Sequence, residues 1–339
     1  MRVEVNGDKK KEEYMKYLID RKERVLLGGM KQTIHIWGTK KENPIILFLH
    51  GGPGVPNRHS MAKRQMDLLD DFTIVAWDQR GTGGSYFGCD KKTLTLEQLI
   101  ADCKDLIDYL CDSFRKDKIF LLGGSWGTEL GTFVCRDYGH RIAGYIGYGQ
   151  VVNGIANEER SYAFALRKAE EAGDEQDIAD LKRVGPPVDG QYKPVFEGLM
   201  TQRRILKKYG GSSVKTESYF KSTVIPILTS PELSVSEKIG VANGYKLCLS
   251  EMWPTIVHYD FVKECKKFEM PFFIFQGRKD ENTPASLIQE YYDVIEAPEK
   301  DLVWFENSAH GPLGEEPEKF KGLMREKFLR IAKESNAKI

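Results

Sequence analysis

The chain has 339 residues, in which 50 Lys and Arg balance 50 Asp and Glu, and 41% of the residues are hydrophobic. This composition is typical of a folded globular protein and excludes an intrinsically disordered chain. The balanced charge gives no electrostatic reason to expect a nucleic acid partner. Apolar runs such as residues 45–49 and 272–275 are too short to span a bilayer, so we expect no membrane partner.

The N-terminal sequence MRVEVNGDKKKEEYMKYLID lacks the apolar run of a signal peptide, and we expect a cytoplasmic location. The six cysteines are Cys89, Cys103, Cys111, Cys135, Cys248 and Cys265. They form no C-x-x-C pair and have no metal-ligand spacing with a histidine. We interpret them as reduced thiols and expect no metal site.

Short apolar runs alternate with helical patterns in the first half of the chain. Strands are predicted at residues 33–37, 45–49, 73–77, 119–122 and 143–148. Between the third and fourth of these, residues 96–111 carry apolar residues at a spacing of three or four, which predicts an amphipathic helix. Continuous apolar strands separated by helices predict an α/β fold with a mainly parallel sheet and helices on both faces.

The pattern changes after residue 152. Helical patches such as 158–171 and 196–209, with a VGPP loop at 184–187, replace the strands up to about residue 260. Strands then return at 272–275 and 302–305, with helices at 285–294 and 317–332. We predict a core made of residues 1–152 and 262–339, with residues 153–261 inserted as a helical lid. An independent C-terminal domain is disfavoured, because two strands alone could not bury themselves.

The segment IFLLGGSWGTELG, residues 119–131, ends a predicted strand in a serine between glycines. Gly123-x-Ser125-x-Gly127 between a strand and a helix is the pattern of a nucleophile elbow, a turn so tight that only glycine fits beside the serine. A plain strand-to-helix turn is the alternative. The context favours Ser125 as a nucleophile.

A second glycine-rich loop, HGGPG at residues 50–54, directly follows the predicted strand at 45–49. Exposed backbone N–H groups near a nucleophilic serine are what an oxyanion hole requires. We assign the N–H groups of Gly52 and Trp126 as the two donors. A structural turn is one alternative, and a phosphate-binding loop is disfavoured because neither nucleotide-binding glycine pattern is present.

A nucleophilic serine needs a base, and the sequence offers six histidines. His310 lies in ENSAHGP, a loop between a predicted strand and a helix. Loops after parallel strands gather at one edge of a sheet, where Ser125 is also expected. We therefore select His310 as the base. The remaining histidines, His35, His50, His59, His140 and His258, are interpreted as structural.

The acid that orients the base is expected between the serine and the histidine in the chain. Asp280 in FQGRKDENTP follows the predicted strand at 272–275 and fits that position. It would hold the tautomer of His310 and stabilise the imidazolium. Glu281 is a rival acid, and Asp260 is another candidate, although it lies at the lid boundary.

The sequence WDQRGTGGS at residues 77–85 follows the predicted strand at 73–77. Its glycines predict a tight loop beside the site. We interpret Asp78 and Arg80 as structural residues that brace this loop through charge-assisted hydrogen bonds. A role in substrate binding is the minority interpretation.

Together these motifs resemble the α/β-hydrolase fold and, more narrowly, the proline iminopeptidase family of serine aminopeptidases. The matching segments are HGGPG at 50–54, DQRGTGGS at 78–85, GGSWGT at 123–128, GRKD at 277–280 and the His310 loop. The resemblance covers about residues 25–152 and 262–335. It implies a hydrolase without a metal or organic cofactor, in which an amide or ester acylates Ser125 and water releases the product. A small molecule or a short peptide is the implied substrate.

The resemblance is weaker in the predicted lid. Family members that remove an N-terminal proline hold its ammonium group with lid carboxylates, and Glu251 in LSEMWPTIVHY is similar in position to one of them. Trp253 is the other candidate substrate contact in this stretch. The tryptophan–glutamate motif expected on the first lid helix is absent, and Glu251 also fits an ordinary surface carboxylate.

The leading hypothesis is thus a serine hydrolase with a proline iminopeptidase-like aminopeptidase activity. A carboxylesterase or small-amide hydrolase is the alternative, and an apolar lid face would favour it over the carboxylates that an aminopeptidase needs. An epoxide hydrolase is disfavoured, because those relatives carry aspartate at the elbow. A non-catalytic binding protein on the same scaffold is the remaining class.

Overall fold

The computed structural model describes residues 19–215 and 224–336. Eight strands form one sheet: β1 (Ile19–Leu27), β2 (Met30–Gly38), β3 (Ile45–Leu49), β4 (Thr73–Asp78), β5 (Ile119–Gly124), β6 (Ile142–Tyr148), β7 (Phe272–Gly277) and β8 (Lys300–Phe305). Their order is β1-β2-β4-β3-β5-β6-β7-β8. The pairs β1–β2 and β2–β4 are antiparallel and the other pairs are parallel. The prediction of a mainly parallel α/β sheet is confirmed.

Helices accompany the strands along the chain. They are α1 (Arg58–Arg64), α2 (Leu96–Phe114), α3 (Trp126–Tyr138), α4 (Gly154–Glu171), α5 (Glu175–Val184), α6 (Val195–Lys208), α7 (Ile225–Thr229), α8 (Val235–Ile256), α9 (Phe261–Glu264), α10 (Ile288–Val294), α11 (Pro312–Glu315) and α12 (Pro317–Asn336). No helix in these described ranges combines the length and the apolar character needed to cross a bilayer.

The central strands are buried on both faces because helices cover the sheet from both sides. Every residue of β3, β5 and β7 is buried. Side chains alternate between the two faces of a strand, so Leu47 packs in the core that contains α2 and α3, whereas Phe48 packs in the core that contains Phe328 of α12. This two-sided burial explains why these strands were readable as continuous apolar runs.

Strand β1 was not predicted from the sequence. Its residues, IDRKERVLL, are mostly charged, and the interior of the strand is exposed or half-buried. It lies at the end of the sheet and pairs with β2 alone. Charged side chains on an edge strand discourage pairing with other molecules, and they also remove the apolar run by which a strand is recognised.

Residues 153–261, here called the helical segment, contain α4 to α8 and connect β6 to β7 by way of α9. The two ends of the segment lie side by side. Asn153 and Asp260 form an isolated antiparallel bridge, and Phe261 N donates to Val152 O at 2.8 Å. The helices also share a hydrophobic cluster of their own, which includes Tyr162 and Leu181.

Candidate active site

The chain turns sharply at Ser125, between the end of β5 and the start of α3. Ser125 has φ 55° and ψ −125°, a left-handed conformation that is rare for a residue with a side chain. Its N–H donates to Tyr148 O at 3.0 Å, which holds the turn against the end of β6. The local geometry is that of the elbow predicted from the sequence.

Close approaches explain the glycine that follows the elbow serine and a glycine of the HGGPG loop. A Cβ atom added to Gly127 would lie 1.9 Å from the carbonyl oxygen of Leu49, so only glycine lets α3 pack this tightly on the end of β3. A Cβ added to Gly51 would lie 3.2 Å from the Cβ of Ser125. The HGGPG loop therefore runs directly beside the serine.

Asp280 and His310 meet at the same edge of the sheet, after β7 and β8. His310 Nδ1 lies 2.9 Å from Asp280 Oδ2. Asp280 is fully buried, and its carboxylate accepts four further hydrogen bonds. The donors are the side chains of Gln276 and Thr283 and the backbone N–H groups of Asn282 and Thr283, at 2.8 to 3.0 Å. The carboxylate is thus fixed in position against the histidine.

The other ring nitrogen of His310 faces Asn282. Asn282 Nδ2 lies 2.9 Å from His310 Nε2. Within the described residues, no hydrogen bond joins the Ser125 hydroxyl to His310. Catalytic hydrogen bonds are often long or absent before substrate binds, so this arrangement is compatible with a serine–histidine pair. Forming that pair requires Asn282 to leave His310 Nε2.

The HGGPG loop is held by a chain of hydrogen bonds that ends at α3. His50 Nδ1 lies 2.9 Å from Gly51 O, and Gln79 N donates to His50 Nε2 at 3.3 Å. Gln79 Nε2 donates to His50 O at 3.3 Å, and Trp126 Nε1 donates to Gln79 Oε1 at 3.0 Å. Gly52, with φ 123°, follows in the loop. These bonds link the HGGPG loop to Trp126. Trp126 is the first residue of α3, so its backbone N–H has no intrahelical acceptor and is free to bind an oxyanion.

Burial determines the protonation of His50. It lowers the pKa of His50 to about 4, so the ring is neutral at pH 7. A neutral ring with its proton on Nδ1 donates to Gly51 O and accepts from the N–H of Gln79, which matches both contacts. His50 is structural, as expected. Gln79 was not singled out, and its place between two glycine-rich motifs is the signal that could have found it.

A cavity of about 990 Å³ opens above the elbow, between the sheet edge and the helical segment. Ser125, His310, Gly52 and Trp126 all line it. Much of the opposite wall is apolar and comes from α6 and α8, through Leu199, Met200, Leu249, Trp253 and Ile256. The structure therefore brings the predicted triad serine and histidine, both oxyanion residues and Trp253 together around one space.

The structure does not bring Glu251 to this cavity. Its side chain is about one-third exposed, and its carboxylate lies 3.8 Å from Lys91 Nζ on the neighbouring surface. Trp253, two residues later, does line the cavity and donates from Nε1 to Gly190 O at 3.2 Å. On a helix, residues two apart point in different directions, which explains why only one of the two reaches the site.

The rival acids lie elsewhere. The described residues show no contact between the Glu281 carboxyl group and His310, and burial raises the pKa of Glu281 above its usual value. Asp260 Oδ2 pairs with Lys263 Nζ at 2.8 Å at the end of the helical segment. Among the described histidines, His310 alone lines the cavity.

Asp78 and Arg80 have the structural role that we predicted for them. Asp78 Oδ2 accepts from Gly84 N at 2.8 Å and pairs with the buried Arg58 at 3.1 Å. Arg80 donates to both carboxylate oxygens of Asp102 at 2.8 Å. Neither residue lines the cavity.

Two buried acids and a buried amide are among the polar residues of the cavity wall that were missed in the sequence. Glu129 of α3 and Asn157 and Glu158 of α4 are buried side chains that line it. Glu158 is paired with Arg203 of α6, whose Nη1 donates to Glu158 Oε2 at 3.0 Å. No pattern in the sequence marks Glu129, because its helix also carries the charged residues Arg136 and Asp137.

Comparison with known proteins places this geometry in a family. A model of the α/β-hydrolase fold matches residues 44–181. The chain is 30% identical over 300 residues to a probable aminopeptidase of Bacillus subtilis, covering 88% of this chain and 93% of that protein. The chain belongs to the α/β-hydrolase family. It is 26% identical to a proline iminopeptidase of Saccharolobus solfataricus over 304 residues, covering 88% of this chain and 89% of that protein.

Solved structures agree on the fold. The α/β-hydrolase chain superposes on the crystal structure of a proline iminopeptidase from Mycobacterium smegmatis with a TM-score of 0.65, at 16% identity and covering 92% and 98% of the two chains. An esterase from Thermogutta terrifontis matches with a TM-score of 0.59 at 18% identity, covering 92% and 99%. The protein is therefore an enzyme of the hydrolase type, and its named relatives include aminopeptidases.

Proposed function

We propose that this α/β-hydrolase cleaves an amide or ester with Ser125 as nucleophile, His310 as base and Asp280 as the orienting acid. One observation carries the proposal. Ser125, Asp280 and His310 follow three strand ends, buried Asp280 lies 2.9 Å from His310, and Ser125 and His310 border one cavity with the HGGPG loop. This is the set of roles that a serine hydrolase needs.

The proposed reaction has two halves. The Ser125 hydroxyl proton passes to His310 Nε2 while Oγ attacks the carbonyl carbon, and the oxyanion is stabilised by the N–H groups of Gly52 and Trp126. Collapse of the tetrahedral intermediate breaks the bond to the leaving amine or alcohol, which takes the proton from His310. Water then attacks the acyl-enzyme by the same route and frees the carboxylic acid and Ser125. Asp280 holds His310 with its proton on Nδ1 and stabilises the imidazolium.

We propose an aminopeptidase-like substrate class, namely a small amide or short peptide with a free amino terminus. The names of the relatives support this choice, because the bacterial relative is a probable aminopeptidase and several others are proline iminopeptidases. The helical segment acts as the lid in this proposal, since it closes the cavity opposite Ser125. We also propose a cytoplasmic location, because the six cysteines carry free thiols.

A carboxylesterase or small-amide hydrolase is the second candidate. The apolar side chains that α6 and α8 contribute to the cavity favour it, because an acyl chain needs only an apolar wall. Epoxide hydrolases share the fold at 15% identity, but the elbow residue here is serine rather than the aspartate that such chemistry uses.

Labelling by a fluorophosphonate tests the nucleophile directly. We expect wild-type protein to be labelled at Ser125 and Ser125→Ala to be unlabelled with the fold retained. Turnover should fall about 10³- to 10⁶-fold in the variant, as in other serine hydrolases that lose the nucleophile. Activity that survives Ser125→Ala would exclude the proposed triad.

A panel of substrates separates the two candidates. Free and N-acetylated aminoacyl p-nitroanilides, with proline among them, are compared with p-nitrophenyl esters of rising chain length. An aminopeptidase cleaves the free-amine compounds and loses activity when the amino group is blocked. An esterase cleaves the esters and is indifferent to blocking. Proline selectivity shows as preference for the prolyl compound within the free-amine set.

A further inference from the structure

Among the described residues of the cavity wall, three have a buried acceptor oxygen without a partner: Asn282 beside His310, and Glu129 and Asn157. Glu129 is 4% exposed, and its Oε1 has no hydrogen-bond partner among the described residues. Asn157 is 5% exposed, and the same holds for its Oδ1. Both residues line the cavity that contains Ser125. A buried polar group without a partner costs stability, so such groups are expected to serve a ligand.

The position of Glu129 relates it to the candidate nucleophile. It is the fourth residue of α3, and Ser125 caps that helix. Ser125 and Glu129 also line the same cavity. A substrate attacked by Ser125 would therefore occupy a space that the Glu129 carboxyl group borders.

Asn157 approaches from the helical segment. Thr128, the neighbour of Glu129, accepts from Val151 N at 2.9 Å through its hydroxyl. Val151 precedes the segment that leads into α4, and Val151 also lines the cavity. This bond ties the first turn of α3 to the chain that carries Asn157. Glu129 of the core and Asn157 of the helical segment thus both offer an unpartnered acceptor to the same wall.

The other carboxylates near the cavity are occupied or remote. Glu158 lines the cavity, but the guanidinium group of Arg203 binds it with two nitrogens. Glu251 lies outside the cavity and near Lys91. Of the described carboxylates on the wall, Glu129 is the one without a protein cation.

We propose that Glu129, assisted by Asn157, binds the ammonium group of the substrate and so makes this hydrolase selective for free amino termini. The inference rests on the proposed function and assigns its specificity to a core residue on the nucleophile helix. A cationic donor with two or three N–H groups satisfies both oxygens, and a carboxylate–ammonium contact is a charge-assisted hydrogen bond.

Burial of the Glu129 carboxyl group disfavours its ionised form. Burial raises the pKa of Glu129 well above its usual value, and the carboxylate of Glu264 on α9 adds to the effect. Tyr259, at the end of the helical segment, is the other titratable group that interacts with Glu129. An arriving ammonium group favours the ionised carboxylate, so binding of a cation releases a proton. Affinity for a cation consequently rises as the pH rises towards the raised pKa.

Calorimetry on the full chain tests this binding without requiring turnover. The probes are L-leucinamide and N-acetyl-L-leucinamide, titrated into Ser125→Ala protein at pH 5 to 7 in two buffers with different ionisation enthalpies. We expect leucinamide to bind with release of a proton and to bind more tightly at pH 7 than at pH 5. We expect the acetylated probe to bind weakly and without this dependence.

Variants identify the carboxylate. In the same Ser125→Ala background, Glu129→Gln keeps the shape of the side chain, and it should weaken leucinamide binding about 10- to 100-fold and abolish proton release. Asn157→Ala should weaken binding to a smaller extent. The matched control Glu159→Gln, on the exposed face of α4, should bind as the parent protein does. If Glu129→Gln binds leucinamide unchanged, or if Glu251→Gln shows the loss instead, the assignment to Glu129 is wrong.

The outcome is separable from that of the proposed function. Failure of wild-type protein to react with the fluorophosphonate or with any panel substrate overturns the proposed function, whatever leucinamide does. Normal turnover with an unchanged ratio of free-amine to N-acetyl activity in Glu129→Gln overturns this inference and leaves the triad intact. A fall in that ratio, driven by KM for the free-amine compounds, supports it.

Discussion

The edge of the sheet and the helical segment surround the same cavity, but different interactions hold them. At the edge, hydrogen bonds to backbone groups and buried side chains hold the loops, as in the bonds from His50 through Gln79 to Trp126. In the helical segment, ion pairs such as Glu158–Arg203 join neighbouring helices. Reaction chemistry demands closely fixed positions, which a network of hydrogen bonds to the backbone supplies.

The two regions are also joined at a tight contact. Helix α8 lies on the loop that follows β4, and a Cβ added to Gly240 would lie 2.1 Å from Gly83 O. The same holds for Gly244, where the Cβ would lie 2.7 Å from Gly81 O. The glycine-rich loop at residues 78–85 therefore packs closely against α8 of the helical segment. This contact explains why α8 carries glycine at positions 240 and 244.

The largest effect on kcat is expected from neutralising Asp280, the acid at the sheet edge. Asp280→Asn removes the charge that holds the His310 tautomer, and kcat should fall about 10⁴-fold. Glu281→Gln, the neighbouring acid without contact to His310, is the matched control and should retain near wild-type kcat. Steady-state kinetics on the best panel substrate measures both. Equal losses in the two variants would mean that Asp280 is not the orienting acid.

Breaking the Glu158–Arg203 ion pair should disturb the helical segment more than the edge of the sheet. Arg203→Met leaves Glu158 buried without its partner, which costs about 3 kcal/mol of stability. The double variant with Glu158→Gln should recover much of that loss. We expect KM for long p-nitrophenyl esters to rise, whereas hydrolysis of p-nitrophenyl acetate changes little. Urea unfolding and the two esters measure these effects, and an equal loss on both esters would contradict the separation of the two regions.

Acidic pH should lower the free energy of unfolding through His50, which lies at the sheet edge. Its pKa is about 4 in the folded protein and about 6.5 when unfolded, so below pH 6.5 the unfolded chain binds a proton that the folded one excludes. Stability therefore falls as the pH drops from 6.5 to 4, by about 3 kcal/mol from this group. Urea unfolding across that range should show this component in wild type and in the exposed-site control His140→Gln. His50→Asn should lack it, and an unchanged pH profile in His50→Asn would refute the assignment.

The sequence revealed the edge of the sheet because backbone geometry there restricts the residue types. The close backbone approaches at Gly123 and Gly127, on either side of Ser125, admit glycine alone, so the pattern is visible without coordinates. Strand ends then placed Asp280 and His310 beside it, since parallel strands gather their loops at one edge. The fold followed from the same runs, except for β1, whose charged edge-strand residues hide it.

The wall of the cavity could not be read in the same way. The sequence does not show whether a glutamate is buried or exposed. Glu129 is therefore recognised only in the structure, where α3 directs it into the cavity wall. The reverse holds for Glu251, whose helical position directs it to the surface beside Lys91. Helix rotation and packing decide these orientations, and they depend on contacts between distant parts of the chain.

The smallest effect is expected from loosening the loop that carries Gly52 without touching the triad. Gln79→Ala removes the acceptor of Trp126 Nε1 and the donor to His50 O, leaving both buried groups unpaired. We expect kcat to fall about tenfold, because a displaced oxyanion donor costs part of the 10²- to 10³-fold that a lost one costs. KM should stay within about twofold, since the loop stabilises the transition state rather than the bound substrate. Gln98→Ala, which breaks a hydrogen bond to Asp102 away from the cavity, is the control. A rise in KM at constant kcat would show that Gln79 supports substrate binding instead of the oxyanion loop.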